Sequence, residues 1–182
     1  MVTPREARRP EDLPLRDARE ADAPAIARVH VTSQDDAYAP LAAVWPTPDL
    51  DDRAARWARW LGASRDPARV YLVAEVDGAV VGFISAGPAR REDAGAEVEV
   101  YVLHVLPPRR GQGIGRALWS AACARVRGPE LRALCVETFA ELRCCAFYEA
   151  RGGEPIARAP DKFHGGDVTR IVYGWPVGRS SE

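Results

Sequence analysis

Three glycines in five residues, Gly111, Gly113 and Gly115, stand between an apolar run over 98–106 and a run of helical spacing over 116–126. Glycine lets the backbone turn left-handed and lets a guest come close. The start of a helix offers unpaired N–H groups to an anion. The chemistry implied is the cradling of a phosphate by the backbone amides of Gly111, Gln112, Gly113, Ile114 and Gly115, with the Arg110 side chain facing the same guest. Arg109 and Arg110 also stand just ahead of the helix, where cations oppose its dipole unless an anion is present. Two familiar glycine loops fail at fixed offsets. A nucleoside-triphosphate loop needs Lys and then Ser or Thr where this chain has Arg116 and Ala117, and a dinucleotide fingerprint beginning at Gly111 needs glycine where Arg116 stands.

The elements that must hold this loop can be read from periodicity and turn signals. The fold starts near Leu13. Asp22 with Pro24 in the first turn opens a helix reaching about residue 33, and Leu50, Ala54, Trp57 and Leu61 mark a second over 49–61. Between them, 35–48 reads as a loop with aromatic anchors. Strand-like runs over 70–75 and 80–85 flank Asp77-Gly78, a hairpin signal, so that pair is antiparallel. The strand over 97–106 leads through the glycine loop into a helix over 113–127 and then a strand over 131–137. A strand, a helix and a strand in that order give a parallel pair. A helix over 142–151 and strands over 155–158 and 168–174 complete the chain. The fold class is α/β: a mixed, mostly antiparallel sheet with one parallel pair and helices on both faces. Alternation along 97–105 places Glu97, Glu99, Tyr101, Leu103 and Val105 on one face unless a bulge intervenes, and turns His104 away from Glu99.

Arg110, Gly113 and Gly115 fill an Arg/Gln-x-x-Gly-x-Gly/Ala signature, and with the preceding strand this resembles the acyl-CoA loop of the GNAT acetyltransferase superfamily. Phe147-Tyr148-Glu149 with Gly152-Gly153, the early segment 19–38 and Tyr173-Gly174-Trp175 extend the resemblance over about 13–175. It implies a GNAT-like fold, acetyl-CoA as co-substrate, and a pyrophosphate held at 110–116, Arg116 included. The pantetheine amides would pair along Leu103, His104 and Val105, as strand edges offer free backbone groups. Glu99 falls where the family often places a carboxylate base, acting directly or through water; Glu97 or a plain solvated carboxylate is the alternative. Tyr148 matches the family tyrosine that protonates the departing thiolate. Tyr38 and Trp45 border the implied acceptor cleft, where Asp35 and Asp36 could hold a cationic amine; a packing cluster is the alternative. Two departures stand out. Glu141 replaces a frequent Asn and should point to solvent or meet Arg143 or Arg110, and Gly152-Gly153 replaces the usual Gly-Phe.

The resemblance thus implies an N-acetyltransferase that moves acetyl from acetyl-CoA to a primary amine of a small molecule or peptide. A catalytically silent acyl-CoA-binding or regulatory protein of the same fold is the alternative. At 182 residues the chain suits one domain. The expected organisation is a flexible arm over 1–12, an acyltransferase domain over 13–176 and a tail over 177–182. A net charge of −1, from 25 basic and 26 acidic residues, excludes a global attraction to nucleic acid or anionic membrane. No apolar stretch approaches the roughly 20 residues that span a bilayer, and the start lacks a signal-peptide core. A cytoplasmic protein with no membrane partner is expected, with a homodimer left open. The four cysteines contain no C-x-x-C pair, so no metal is expected.

Overall fold

The computed structural model describes residues 13–41, 43, 45–62, 66–91, 95–129 and 132–178. The expected arm over 1–12, the end of the tail and Leu131 lie outside them. Seven strands form one sheet in the order β1-β2-β3-β4-β5-β7-β6. They are β1 (Leu15–Asp17), β2 (Val70–Val76), β3 (Ala79–Pro88), β4 (Val98–Val105), β5 (Leu134–Phe139), β6 (Glu154–Phe163) and β7 (Gly166–Trp175). Between them run α1 (Ala23–Ala37), α2 (Leu50–Leu61), α3 (Ile114–Arg127) and α4 (Cys145–Glu149). Among the described residues one neighbouring pair, β4 and β5, is parallel, and the rest are antiparallel.

The apolar run of β2 is continuous because both its faces are covered. Tyr71 and Val73 pack with Ile26, Val29, Trp57 and Leu61 of α1 and α2, whereas Leu72, Ala74 and Val76 join Ile114, Leu118 and Trp119 of α3 on the opposite face. The Asp77-Gly78 turn takes positive φ at both residues, 54° and 75°, as a tight hairpin between twisted strands requires. Asp49 caps α2 by accepting the Asp52 amide at 2.9 Å, a bond of about 1 kcal/mol. No helix among the described residues is long and apolar enough to cross a membrane.

Several element bounds differ from the sequence reading, among them β3, which runs to Pro88, and β5, which covers Leu134–Phe139. Asp35, Asp36 and Ala37 continue α1 rather than opening a loop. The helix expected over 142–151 is only Cys145–Glu149, with turns on either side. Strand β6 runs to Phe163 although nearly all its side chains are exposed, so it carries no hydrophobic alternation to betray it. It is the sheet's edge, and Pro155 and Pro160 are tolerated there because an edge strand leaves some amides unpaired.

The turn after α4 is tightly packed. A Cβ at Gly153 would lie 2.7 Å from Trp175 Cζ2 and 2.9 Å from the Tyr148 carbonyl oxygen. Trp175 cannot swing aside without losing the 2.7 Å bond from its Nε1 to the Arg151 carbonyl. Gly153→Ala is therefore expected to destabilise the protein by about 1–3 kcal/mol in urea titrations. A change under about 0.5 kcal/mol would show that the turn yields.

Candidate active site

The parallel strands pair only at Val98 with Leu134 and Glu99 with Cys135. Beyond those residues they part, and a cavity of about 810 Å³ opens between Leu103, His104 and Val105 on one side and Glu137 and Thr138 on the other. Gly111, Gly113, Gly115 and Arg116 form its mouth, and Tyr38 and Tyr148 also line it.

At the mouth, Gly111 and Gly113 adopt φ of 76° and 82°, left-handed values that disfavour any side chain. Gly113 is the N-cap residue of α3, and no side chain caps the helix there. The first-turn amides are thus left for a guest. Ile114, buried, anchors the turn against Gly82, where an added Cβ would crowd its Cγ2 at 3.2 Å. Gln112 folds away, donating to the Pro108 carbonyl at 3.2 Å.

Arg110 has partners beyond the loop. Its guanidinium pairs with Asp36, and its Nε and Nη2 donate to the Val105 and Ser33 carbonyls at 3.2 and 3.4 Å. It ties the end of α1 to β4 and, with its side chain 42% exposed, also lines the cavity beside the glycine loop. One consequence is that the Val105 carbonyl has a partner before any pantetheine amide arrives. The cation that sequence reading missed is Arg151, which lines the cavity with Arg116. Its guanidinium carbon lies 3.7 Å from the Phe147 ring centroid, and its Nε is buried without a hydrogen-bond partner. Burial first, and then the like charge of Arg116, push its pKa down. Its spacing of three residues from Tyr148 on one helical turn was the available signal.

The shared face expected for 97–105 is interrupted. Ser85 faces Val102 but Ala86 faces Val100, so Tyr101 is an extra residue in β4. Val98 and Val100 join the α3 side of the core, as do Leu103 and Val105, while Val102 packs towards α1 and α2. Glu99 and His104 consequently lie on the same side of the sheet, reversing the expectation from simple alternation. Tyr101 itself donates to the Pro88 carbonyl at 2.6 Å, with Arg69 and Arg90 each 5.1 Å from its ring.

Glu99 is 4% exposed and clamped. Its carboxylate accepts the Arg90 amide at 3.0 Å and the Arg90 Nε at 3.0 and 3.1 Å, and pairs with Nη2 as well. It lies behind Arg90 and does not line the cavity; the acidic side chain that does so beside Thr138 is Glu137, which accepts Arg170 Nη1 at 3.2 Å. Glu97 is exposed and accepts the Ala133 amide at 3.1 Å. Tyr148 is 7% exposed, faces the cavity, and its hydroxyl meets no hydrogen-bonding protein group among the described residues. Burial, followed by the nearby Cys144, raises its pKa well above 10 and keeps the proton on.

At the far end, Tyr38 lines the cavity and Trp45 backs it, with ring centroids 4.6 Å apart. Trp45 stacks on Phe163 at 5.5 Å and donates to Asp35 at 3.0 Å. Asp35 and Asp36 are both engaged, by Trp45 and Arg110, and Asp36 also lines the cavity. Glu141 is exposed and accepts the Thr169 amide at 2.9 Å rather than meeting Arg143 or Arg110. Among the described residues no three His, Cys, Asp or Glu side chains gather as a metal site.

His104 and His30 sit with ring centroids 4.9 Å apart, and His30 Nδ1 accepts the Trp57 indole N–H at 3.2 Å. Burial above all lowers His30 from 6.5 to about 2 and His104 to about 3. Both stay neutral in the fold, whereas the unfolded chain protonates them below about pH 6.5. Stability is complete above that pH and falls as pH drops from it towards the folded values. His30 alone should cost about 2 kcal/mol by about pH 5, with His104 adding in the same direction. Urea midpoints between about pH 7 and pH 5 measure this, and His104→Gln should flatten the slope. A wild-type midpoint unchanged over that range would mean that the rings are protonated in the fold.

A sheet split at its parallel pair and mouthed by an uncapped glycine turn places this chain among the acyltransferases. It belongs to the Acetyltransferase (GNAT) family, whose model matches residues 29–153, and is an N-acetyltransferase. The uncharacterised N-acetyltransferase YuaI of Bacillus subtilis is 28% identical over 162 residues, which are 89% of this chain and 92% of that protein. The L-amino acid N-acyltransferase MnaT of Escherichia coli is 34% identical over 110 residues, 59% of either chain. The fold resembles that of a phosphinothricin acetyltransferase from Sinorhizobium meliloti in complex with acetyl-CoA, with a TM-score of 0.64 at 24% identity over 91% of this chain and 89% of the other.

Proposed function

We propose that residues 13–176 act as one acyltransferase domain that transfers acetyl from acetyl-CoA to a primary amine of a small molecule or peptide by direct attack on the thioester. The observation that carries this reading is one cavity lined by both the uncapped glycine turn and Tyr148, a residue 7% exposed. The amides from Gly111 to Arg116, with Arg116 and Arg151, receive the pyrophosphate. Leu103, His104 and Val105 offer the backbone edge to the pantetheine arm, apart from the carbonyl that Arg110 holds.

The neutral amine forms its N–C bond at the thioester carbonyl, and a backbone N–H of that edge receives the developing oxyanion. The C–S bond then breaks, and Tyr148 gives its proton to the thiolate, drawing another from solvent. The proton lost by the ammonium passes through water to Glu99, since Arg90 stands between that carboxylate and the cavity. Glu137 is a second candidate base because it lines the cavity directly. Glu99→Gln and Glu137→Gln separate them, with the base variant expected to lose about 100-fold in kcat/KM and the other little. Equal, small losses in both would remove carboxylate catalysis.

The test of the activity is release of free CoA thiol from acetyl-CoA across a panel of amines. The relative named for L-amino acids puts amino acids first in that panel, ahead of aminoglycosides and peptides. Acetyl-CoA binding without thiol release from any of them would favour the silent binding protein.

A further inference from the structure

Cys144 lies where no step of acetyl transfer uses it. It lines the cavity, and its Sγ is 3.2 Å from Thr138 Oγ1. The Tyr148 amide bonds to its carbonyl at 3.3 Å, so the two residues stand one helical turn apart on one face. Helical side chains lean back over the preceding turn, which brings the phenol over the turn that Cys144 begins. The adjacent Cys145 lies beside the Cys144 thiol but does not line the cavity, and it donates to the Phe139 carbonyl at 3.5 Å. Tyr148, a residue 7% exposed whose hydroxyl has no hydrogen-bonded protein partner among the described residues, lines the same cavity and marks it as a place for a ligand atom. If Tyr148 protonates the departing sulfur of CoA, that sulfur lies beside Cys144.

We propose that Cys144 is a modification site for oxidised coenzyme A: CoA disulfide seated in the donor site exchanges with the thiol, leaving a Cys144–CoA mixed disulfide that blocks acetyl transfer reversibly. This rests on the donor-site reading above. The Cys144 sulfur attacks the inner sulfur of the disulfide, and one S–S bond forms as the other breaks. The outer CoA leaves as thiolate and takes the proton that Cys144 gives up. No electrons are exchanged with any third species. Burial pushes the Cys144 thiol up, so a disulfide that is not held in place reacts slowly. Binding supplies the selectivity by raising the local concentration of one disulfide.

The experiment incubates the full chain with CoA disulfide without reductant and follows intact mass, peptide mapping and acetyl transfer. Expected are a mass gain of one CoA less two hydrogens, an adduct on Cys144, loss of transfer in step with it, and recovery of both with dithiothreitol. Cys144→Ser should gain no mass, and Cys145→Ser should react like the wild type. Acetyl-CoA at about ten times its Kd should slow the adduct about tenfold by occupancy. Glutathione disulfide should react far more slowly. An adduct on another cysteine, an equal rate with glutathione disulfide, or no protection by acetyl-CoA would overturn the inference. So would no adduct on protein that binds acetyl-CoA in calorimetry, with the donor site left standing. Protein that binds no acetyl-CoA would overturn the donor site and this inference together.

Discussion

Gly113→Asp is expected to weaken acetyl-CoA binding by more than about 100-fold while the protein keeps its fold. The residue has φ of 82° and is the N-cap of α3, with no side-chain cap present. Aspartate tolerates left-handed backbone better than most side chains, so the cost to the fold is about 1–2 kcal/mol and the protein stays folded. Its carboxylate would take the first-turn amides that the pyrophosphate needs and add a negative charge beside them. Stability and donor affinity should therefore part company. Calorimetric titration with acetyl-CoA and a urea titration of the same sample measure the two. A folded variant with normal affinity would sink the assignment of this turn to the pyrophosphate.

Tyr148→Phe is expected to lower kcat about 100-fold, the lower end of what a positioned general acid supplies, with acetyl-CoA affinity nearly intact. The hydroxyl has no protein partner to leave stranded, so the melting temperature should hold or rise slightly. A merely structural tyrosine would give the opposite pattern of unchanged turnover. Steady-state kinetics with the best amine from the panel, alongside thermal melts, separates the two outcomes. Unchanged turnover would take the acid role away from this residue.

Much of the frame was legible because its signals are local. Asp77-Gly78 announces its hairpin through backbone conformation alone. The apolar run before the glycines and the helical spacing after them announce a strand, a turn and a helix, and hence the parallel pair. What escaped the sequence depends on contacts between distant residues. The pairing of Arg110 with Asp36 and the clamp of Arg90 on Glu99 are such contacts, each between residues far apart or unmarked in the sequence. Tyr101 broke the count of alternation without any marker in its own identity, and β6 hid because an exposed edge needs no hydrophobic pattern. Arg151 was overlooked because a cation following a helical turn is usually a solvated one.

The extra residue at Tyr101 means that β4 is written in two reading frames. Before it the even-numbered side chains belong to the α3 core, and after it the odd-numbered ones do. Deleting that single residue would bring the two frames into one, because a strand repeats every two residues and the extra one is what separates them. Leu103 and Val105 would stay in the α3 core and His104 on the other side, because Val102 would then follow Val100 directly. What the extra residue places is Tyr101 itself, against the Pro88 carbonyl and between Arg69 and Arg90, and not the side that Leu103 and Val105 face.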